Sequence, residues 1–197
     1  MARPSPLYAA LAAVSWLPVK LLYRLRAKGR ENLPREGGFV LAANHTSNFD
    51  PWPLGLPLFP RRWLRFMAKS ELYWWPLGPL LNLGGAFPVR RGEGDVEAIA
   101  KAVELARAGE IVVMFPEGTR RKKGLRKRFS ARPHTGAARI ARGAGVPLVP
   151  AAVKGTDRLA RLGPLKVAYG PPVEVSDDPR ETTERLMTEI DRLYETL

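Results

Sequence analysis

Apolar positions along this chain fall into short blocks, and polar clusters follow the strongest of them. Phe39 to Ala43 and Ile111 to Phe115 are continuous apolar runs. Runs this short, bounded by polar and turn residues, predict buried strands. Arg65 to Lys69, the stretch led by Val146 to Pro150, and Leu165 to Tyr169 predict further strands. Helical spacing fills the gaps. Residues 93–108 place Val96, Ile99, Val103 and Ala106 on one face, residues 135–144 predict a second helix, and residues 180–196 a closing amphipathic one. Asp50 followed by Pro51 has the form of a helix start. No internal repeat is present. Strands alternating with helices predict an α/β fold, with a central, largely parallel or mixed sheet flanked by helices.

Two uncharged stretches break this alternation. Residues 7–19 carry no charge, and Lys20, Arg24, Arg26, Lys28 and Arg30 follow them. The run falls short of the roughly 20 apolar residues of a spanning helix. Its basic flank lies on the wrong side for a secretory signal. Residues 5–27 therefore predict an interfacial or re-entrant helix, bent near Pro18, whose cationic end meets lipid head groups. The chain divides on this reading into a membrane-interacting segment, 1–28, and a folded domain, 29–197. Residues 72–89 are also uncharged but contain Pro76 and Pro79, which predicts a broken apolar surface under the core or against lipid. All five tryptophans lie between Trp16 and Trp75, which marks the N-terminal half as the membrane face.

Composition narrows the partners. The net charge of +13 favours an anionic partner, and arginine suits phosphate because its planar fork binds two oxygens. The absence of cysteine excludes a thiolate nucleophile, hence a thioester on the enzyme, along with disulfides and cysteine-bound zinc.

The polar clusters carry the candidate chemistry. His45 follows the first apolar run, and Asp50 lies five positions on. A histidine takes a proton near neutral pH, and a carboxylate can fix its tautomer, so the pair could activate a hydroxyl. Equally, Asp50 could only cap a helix. Phe115-Pro116-Glu117-Gly118-Thr119-Arg120 follows the other strong run. Glycine there permits close backbone approach, Thr119 and Arg120 can donate to phosphate, and Glu117 can accept from a hydroxyl. Gly85 to Arg91 is an apolar run ending in two arginines, and one of them could reach phosphate. The basic loop 120–132 is either a solvated loop or a funnel for anions.

In this order the motifs resemble the glycerolipid acyltransferase family, especially the bacterial 1-acyl-sn-glycerol-3-phosphate acyltransferases. The resemblance covers roughly residues 25–175. Asn44, His45 and Asp50 match an Asn-His-x4-Asp block, and Gly85, Pro88, Val89 and Arg91 match a Gly-x-x-apolar-apolar-x-Arg block. Phe115 to Arg120 match Phe-Pro-Glu-Gly-Thr-Arg throughout, and Val146 to Pro150 match an apolar run around proline. Pro88, Arg121 and the His134-Thr135 pair depart from the usual family residues. The resemblance implies His45 as general base and Asp50 as its orienting partner. It implies Asn44, Arg91, Glu117, Gly118, Thr119 and Arg120 around the acceptor, and Val146 and Pro147 in the acyl pocket. It also implies direct transfer from acyl-CoA or acyl-carrier protein to lysophosphatidic acid, with no metal or cofactor. Another lysophospholipid or a lyso-aminolipid is the alternative acceptor.

A nucleic-acid partner is not expected. Such a surface interleaves aromatics with its cations, and loop 120–132 has only Phe129. The expected location is the cytoplasmic face of an inner or plasma membrane, peripheral or monotopic, on an anionic surface.

Overall fold

A computed structural model describes residues 5–89, 95–118 and 133–197, the side chains of Lys69 and Asp95 excepted. Helix α1 spans Pro6–Leu22, capped by the Ser5 hydroxyl, which accepts from the Tyr8 N–H at 3.1 Å. Strand β1 (Arg26–Lys28), β2 (Phe39–Ala43) and helix α2 (Pro51–Gly55) follow. Then come β3 (Leu64–Lys69), α3 (Leu77–Leu83), β4 (Ala86–Val89), α4 (Asp95–Arg107) and β5 (Ile111–Met114). The chain continues through α5 (Gly136–Ala144), β6 (Leu148–Lys154), β7 (Lys166–Tyr169) and α6 (Pro179–Glu195).

Seven strands form one mixed sheet in the order β1-β7-β6-β2-β5-β3-β4. Among the described strands, only the β6–β7 pair is antiparallel. Strand β2 lies at the centre, parallel to β5 on one side and β6 on the other. All five of its side chains are buried, which is why it reads as a continuous apolar run rather than an alternating one. Val40 and Ala42 face a layer that includes Ala102 of α4, Ile140 of α5 and Leu186 and Ile190 of α6. Phe39, Leu41 and Ala43 face Leu54 of α2 and Tyr169 of β7. Beyond that layer lies α1, whose Tyr8 and Ala12 pack with Leu56. Burying each large apolar side chain of β2 contributes about 1.5–3 kcal/mol. Gly38 admits β2 into this packing, since a Cβ there would lie 1.9 Å from the Ala106 carbonyl oxygen of α4.

The structure revises three details of the sequence reading. The first helix ends at Leu22, and Arg26 to Lys28 instead form an edge strand paired with Lys166 to Ala168. The uncharged stretch 72–89 holds a helix and strand β4, not only a broken surface. Val96, expected on the buried face of its helix, is 71% exposed, and the buried stripe begins one turn later. The apolar surface expected in the N-terminal half is present: Val14, Leu17 and Leu21 of α1 are exposed, as are Trp74 and Trp75 before α3 and Leu80 within it. The two helices touch, and the Ser5 hydroxyl donates to the Leu83 carbonyl. Among the described residues, no helix is long and apolar enough to cross a membrane.

Candidate active site

Three parallel strands deliver side chains to one place. His45 lies two residues past β2, Phe115 one past β5, and Thr156 two past β6. The carboxyl ends of neighbouring parallel strands are where open α/β sheets form ligand crevices.

Asp50 organises the site. Its side chain is fully buried and does not cap α2, although the residue stands at that helix's N-cap. It turns back instead. Oδ2 accepts from His45 Nδ1 at 2.8 Å, from the Thr46 N–H at 2.7 Å and from the Ser47 N–H at 2.9 Å. Oδ1 accepts from the Thr156 hydroxyl and, at 3.2 Å, from that of Thr46. A buried carboxylate is tolerated when donors surround it, and here five converge. A carboxylate so held only accepts, so the proton between it and the imidazole sits on Nδ1. The lone pair is thereby left on Nε2, the geometry of a base. The ring of His45 stacks on Phe115, centroids 4.1 Å apart and planes within 20°. That contact joins the Asn-His-x4-Asp block to the Phe-Pro-Glu-Gly block.

The second block is a tight turn. The Gly118 N–H donates to the Phe115 carbonyl at 3.0 Å, and the His134 N–H donates to the Pro116 carbonyl at 2.8 Å. Gly118 has φ +67°, and a Cβ there would meet the His134 ring at 2.3 Å. Glycine is required on both counts. Glu117 is partly buried beside this turn. Arg91, Thr119 and Arg120 lie outside the described residues, as does the basic loop 120–132.

Two expected placements change. Asn44 is buried, and its amide is fully engaged with β6. Its Nδ2 donates to the Val153 carbonyl at 2.9 Å, and its Oδ1 accepts from the Val153 N–H at 2.8 Å. It extends the β2–β6 ladder by one rung instead of pointing at a substrate. Val146 and Pro147 were expected to line the acyl pocket, but they precede β6. The Pro147 carbonyl accepts from Val40 near the start of β2, so they flank the opposite end of the sheet from His45, about 17 Å along the strand. Val146 packs into the core there.

Sequence reasoning overlooked Thr156, Thr46 and the stacking role of Phe115. A signal for Thr156 existed: Gly155-Thr156-Asp157 is a polar cluster directly after a buried strand, as in the other two blocks.

Fold and site together define an α/β protein with a histidine–carboxylate pair at the carboxyl ends of its central strands. Residues 24–154 match the family described as Acyltransferase. The 1-acyl-sn-glycerol-3-phosphate acyltransferase of Bacillus subtilis is 34% identical over 78% of this chain and 75% of its own length. The protein of that name from Streptococcus pneumoniae is 28% identical over 82% of this chain, which spans 62% of that longer relative. The crystal structure of the 1-acyl-sn-glycerophosphate acyltransferase PlsC from Thermotoga maritima superposes with a TM-score of 0.67 at 25% identity, covering 94% of this chain and 78% of the other. The chain belongs to the acyltransferase family.

Proposed function

We propose that this enzyme acylates the free hydroxyl of 1-acyl-sn-glycerol-3-phosphate, giving phosphatidic acid. The observation that carries this reading is the pairing of His45 Nδ1 with Asp50 at 2.8 Å, which leaves Nε2 as the basic atom. In the reaction, Nε2 takes the proton of the acceptor hydroxyl as its oxygen attacks the thioester carbon. A C–O bond forms, the tetrahedral oxyanion collapses, and the C–S bond breaks. The thiolate takes the proton back from the imidazolium. Asp50 stays ionised and steadies that cation. The chain has no cysteine, so direct transfer agrees with its composition. Acyl-CoA or acyl-carrier protein is the donor on this reading.

Glu117 and Gly118, in the turn that begins at the Phe115 stacked on His45, are assigned to the acceptor, as are Arg91, Thr119 and Arg120 from the family motifs. Asn44 serves as a positioning residue for the end of β2. The segment 1–28 and the exposed rings before α3 form the membrane-facing part, ahead of a catalytic domain over 29–197. Phe49, next to Asp50 in the chain, is 61% exposed and adds an apolar ring close to the base pair. An apolar surface of this extent marks an interaction face. A peripheral or monotopic position on the cytoplasmic leaflet brings the lysolipid to the base without leaving lipid.

The test is thiol release from acyl-CoA and from acyl-carrier protein, with lysophosphatidic acid in mixed micelles. Acceptor-dependent release by wild type and none by folded His45→Ala is expected. Release that persists in His45→Ala overturns the assignment of the base.

A further inference from the structure

A cavity of about 570 Å³ opens on the other side of the base from the Phe-Pro-Glu-Gly turn. Its wall includes Thr46, the residue after His45. The volume is within the usual range of small-molecule sites. Four cationic side chains, Lys154, Arg158, Arg161 and Lys166, line it against one acidic side chain, Asp157, which Arg158 approaches at 3.3 Å, while Lys166 donates to the Leu197 carbonyl in the same wall. They come from the end of β6, the 3-10 turn Thr156–Arg161 and the start of β7. Lys154 lies over the ring of Tyr194, 5.0 Å from its centroid, which holds the ammonium at the cavity wall. An excess of cations around a concave space recognises phosphate, with arginine forks matching two oxygens and lysine acting as a point charge.

Topology says which phosphate. The sheet order sets β2 between β5 and β6, so His45 has one flank on each side. The β5 flank carries the turn assigned above to the acceptor. The β6–β7 flank is left for the second substrate. It also lies beside Tyr194 of α6, and α6 covers the sheet face opposite the one covered by α2 and α1. A water-soluble ligand can reach it without crossing the exposed apolar surface of α1 and α3.

We propose that this cavity binds the phosphate groups of the thioester donor, with Arg158 and Arg161 as principal contacts. The inference rests on the acyl-transfer reading above. The phosphopantetheine phosphate is common to both donor types, and acyl-CoA adds its nucleotide phosphates.

The experiment uses the full chain with Arg158 and Arg161 both changed to alanine. Arg180→Ala, at the far end of α6, serves as a control of equal kind. Calorimetric titration with CoA is expected to show binding to wild type and Arg180→Ala, and a loss of at least about tenfold in the double variant. Steady-state kinetics should raise KM by a similar factor for acyl-CoA, while KM for lysophosphatidic acid stays within about twofold. An acyl-pantetheine thioester, which has no phosphate, should not distinguish the variant from wild type. A parallel rise for acyl-carrier protein points to the shared phosphate, and a rise for acyl-CoA alone points to the nucleotide; either supports the proposal. Failure of wild type to bind CoA overturns it, as does an equal loss with acyl-pantetheine or a rise in KM for lysophosphatidic acid instead. CoA binding that depends on the two arginines, with no transfer to lysophosphatidic acid, keeps this inference and rejects the proposed acceptor.

Discussion

Asp50 and its five donors set what single substitutions should do. Asp50→Asn keeps the size but replaces one accepting oxygen with an NH2 group, which faces donors it cannot satisfy and no longer holds the proton on His45 Nδ1. Activity should fall by about 10³–10⁴, measured as kcat on a chain that keeps its circular dichroism. Thr156 acts one step further out, since its hydroxyl reaches Asp50 and not the imidazole. Thr156→Val should lower kcat about tenfold with little change in either KM, and Thr156→Ser should restore it. A Val variant that loses stability but keeps kcat would make Thr156 purely structural. Residues close in sequence were legible here. His45 and Asp50 are five apart, and their chemistry suggested the pair. Thr156 was not, because only the β2–β6 register brings it to Asp50, 106 positions away. Arginine was legible in number but not in purpose. Arg62 donates to the carbonyls of Pro34, Arg35 and Gly37 and lies against the Phe39 ring, so part of the positive charge ties loops together.

Elements were legible where burial was complete and obscure where it was partial. Strands β2 and β5 announced themselves as apolar runs, since helices cover both of their faces. Strands β1 and β4 sit at the two edges of the sheet, with neighbours on one side only. Arg26-Ala27-Lys28 has no apolar run to reveal it, and β4 contains Pro88. Proline is tolerated there because an edge strand can lack an N–H. Two substitutions test how elements meet. Gly38→Ala sets a methyl group against the Ala106 carbonyl and should cost about 2–3 kcal/mol in denaturant unfolding. Tyr169 joins β7 to α2, donating from its buried hydroxyl to the Leu54 carbonyl at 2.6 Å. Burial pushes the pKa of that hydroxyl well above the ordinary tyrosine value. The folded state then holds this proton more tightly than the unfolded state. Its contribution is therefore complete below about pH 10 and is lost as pH rises further. Tyr169→Phe should cost about 1–2 kcal/mol at neutral pH and flatten the alkaline loss of stability in urea melts.

The molecule has two unlike exteriors, an apolar one formed by α1 and α3 and a basic one beside the end of β6. Replacing Trp74 and Trp75 with alanine should weaken sedimentation with anionic vesicles by at least about tenfold, while activity toward lysolipid in detergent micelles changes far less. Raising salt should weaken vesicle binding in wild type and variant alike, since it screens the cations and not the rings. The apolar exterior was readable early, because all five tryptophans fall between Trp16 and Trp75; the basic one was not, because its cations come from β6, the turn after it and β7, and meet only in the folded sheet. The central position of β2 has a further consequence, for the order of synthesis. The residues of the base pair leave the ribosome early, yet β2 gains its hydrogen-bonded neighbours only when β5 and β6 follow. Until β6 emerges the strand lacks one of its two flanks, and until Thr156 follows Asp50 lacks one of its donors. A nascent chain therefore holds its apolar first helix ready for lipid while its chemistry is still unbuilt. Truncations ending before residue 150 should attach to vesicles and transfer nothing. On the proposed membrane reading, attachment precedes competence, which arrives when β6 slides in beside β2.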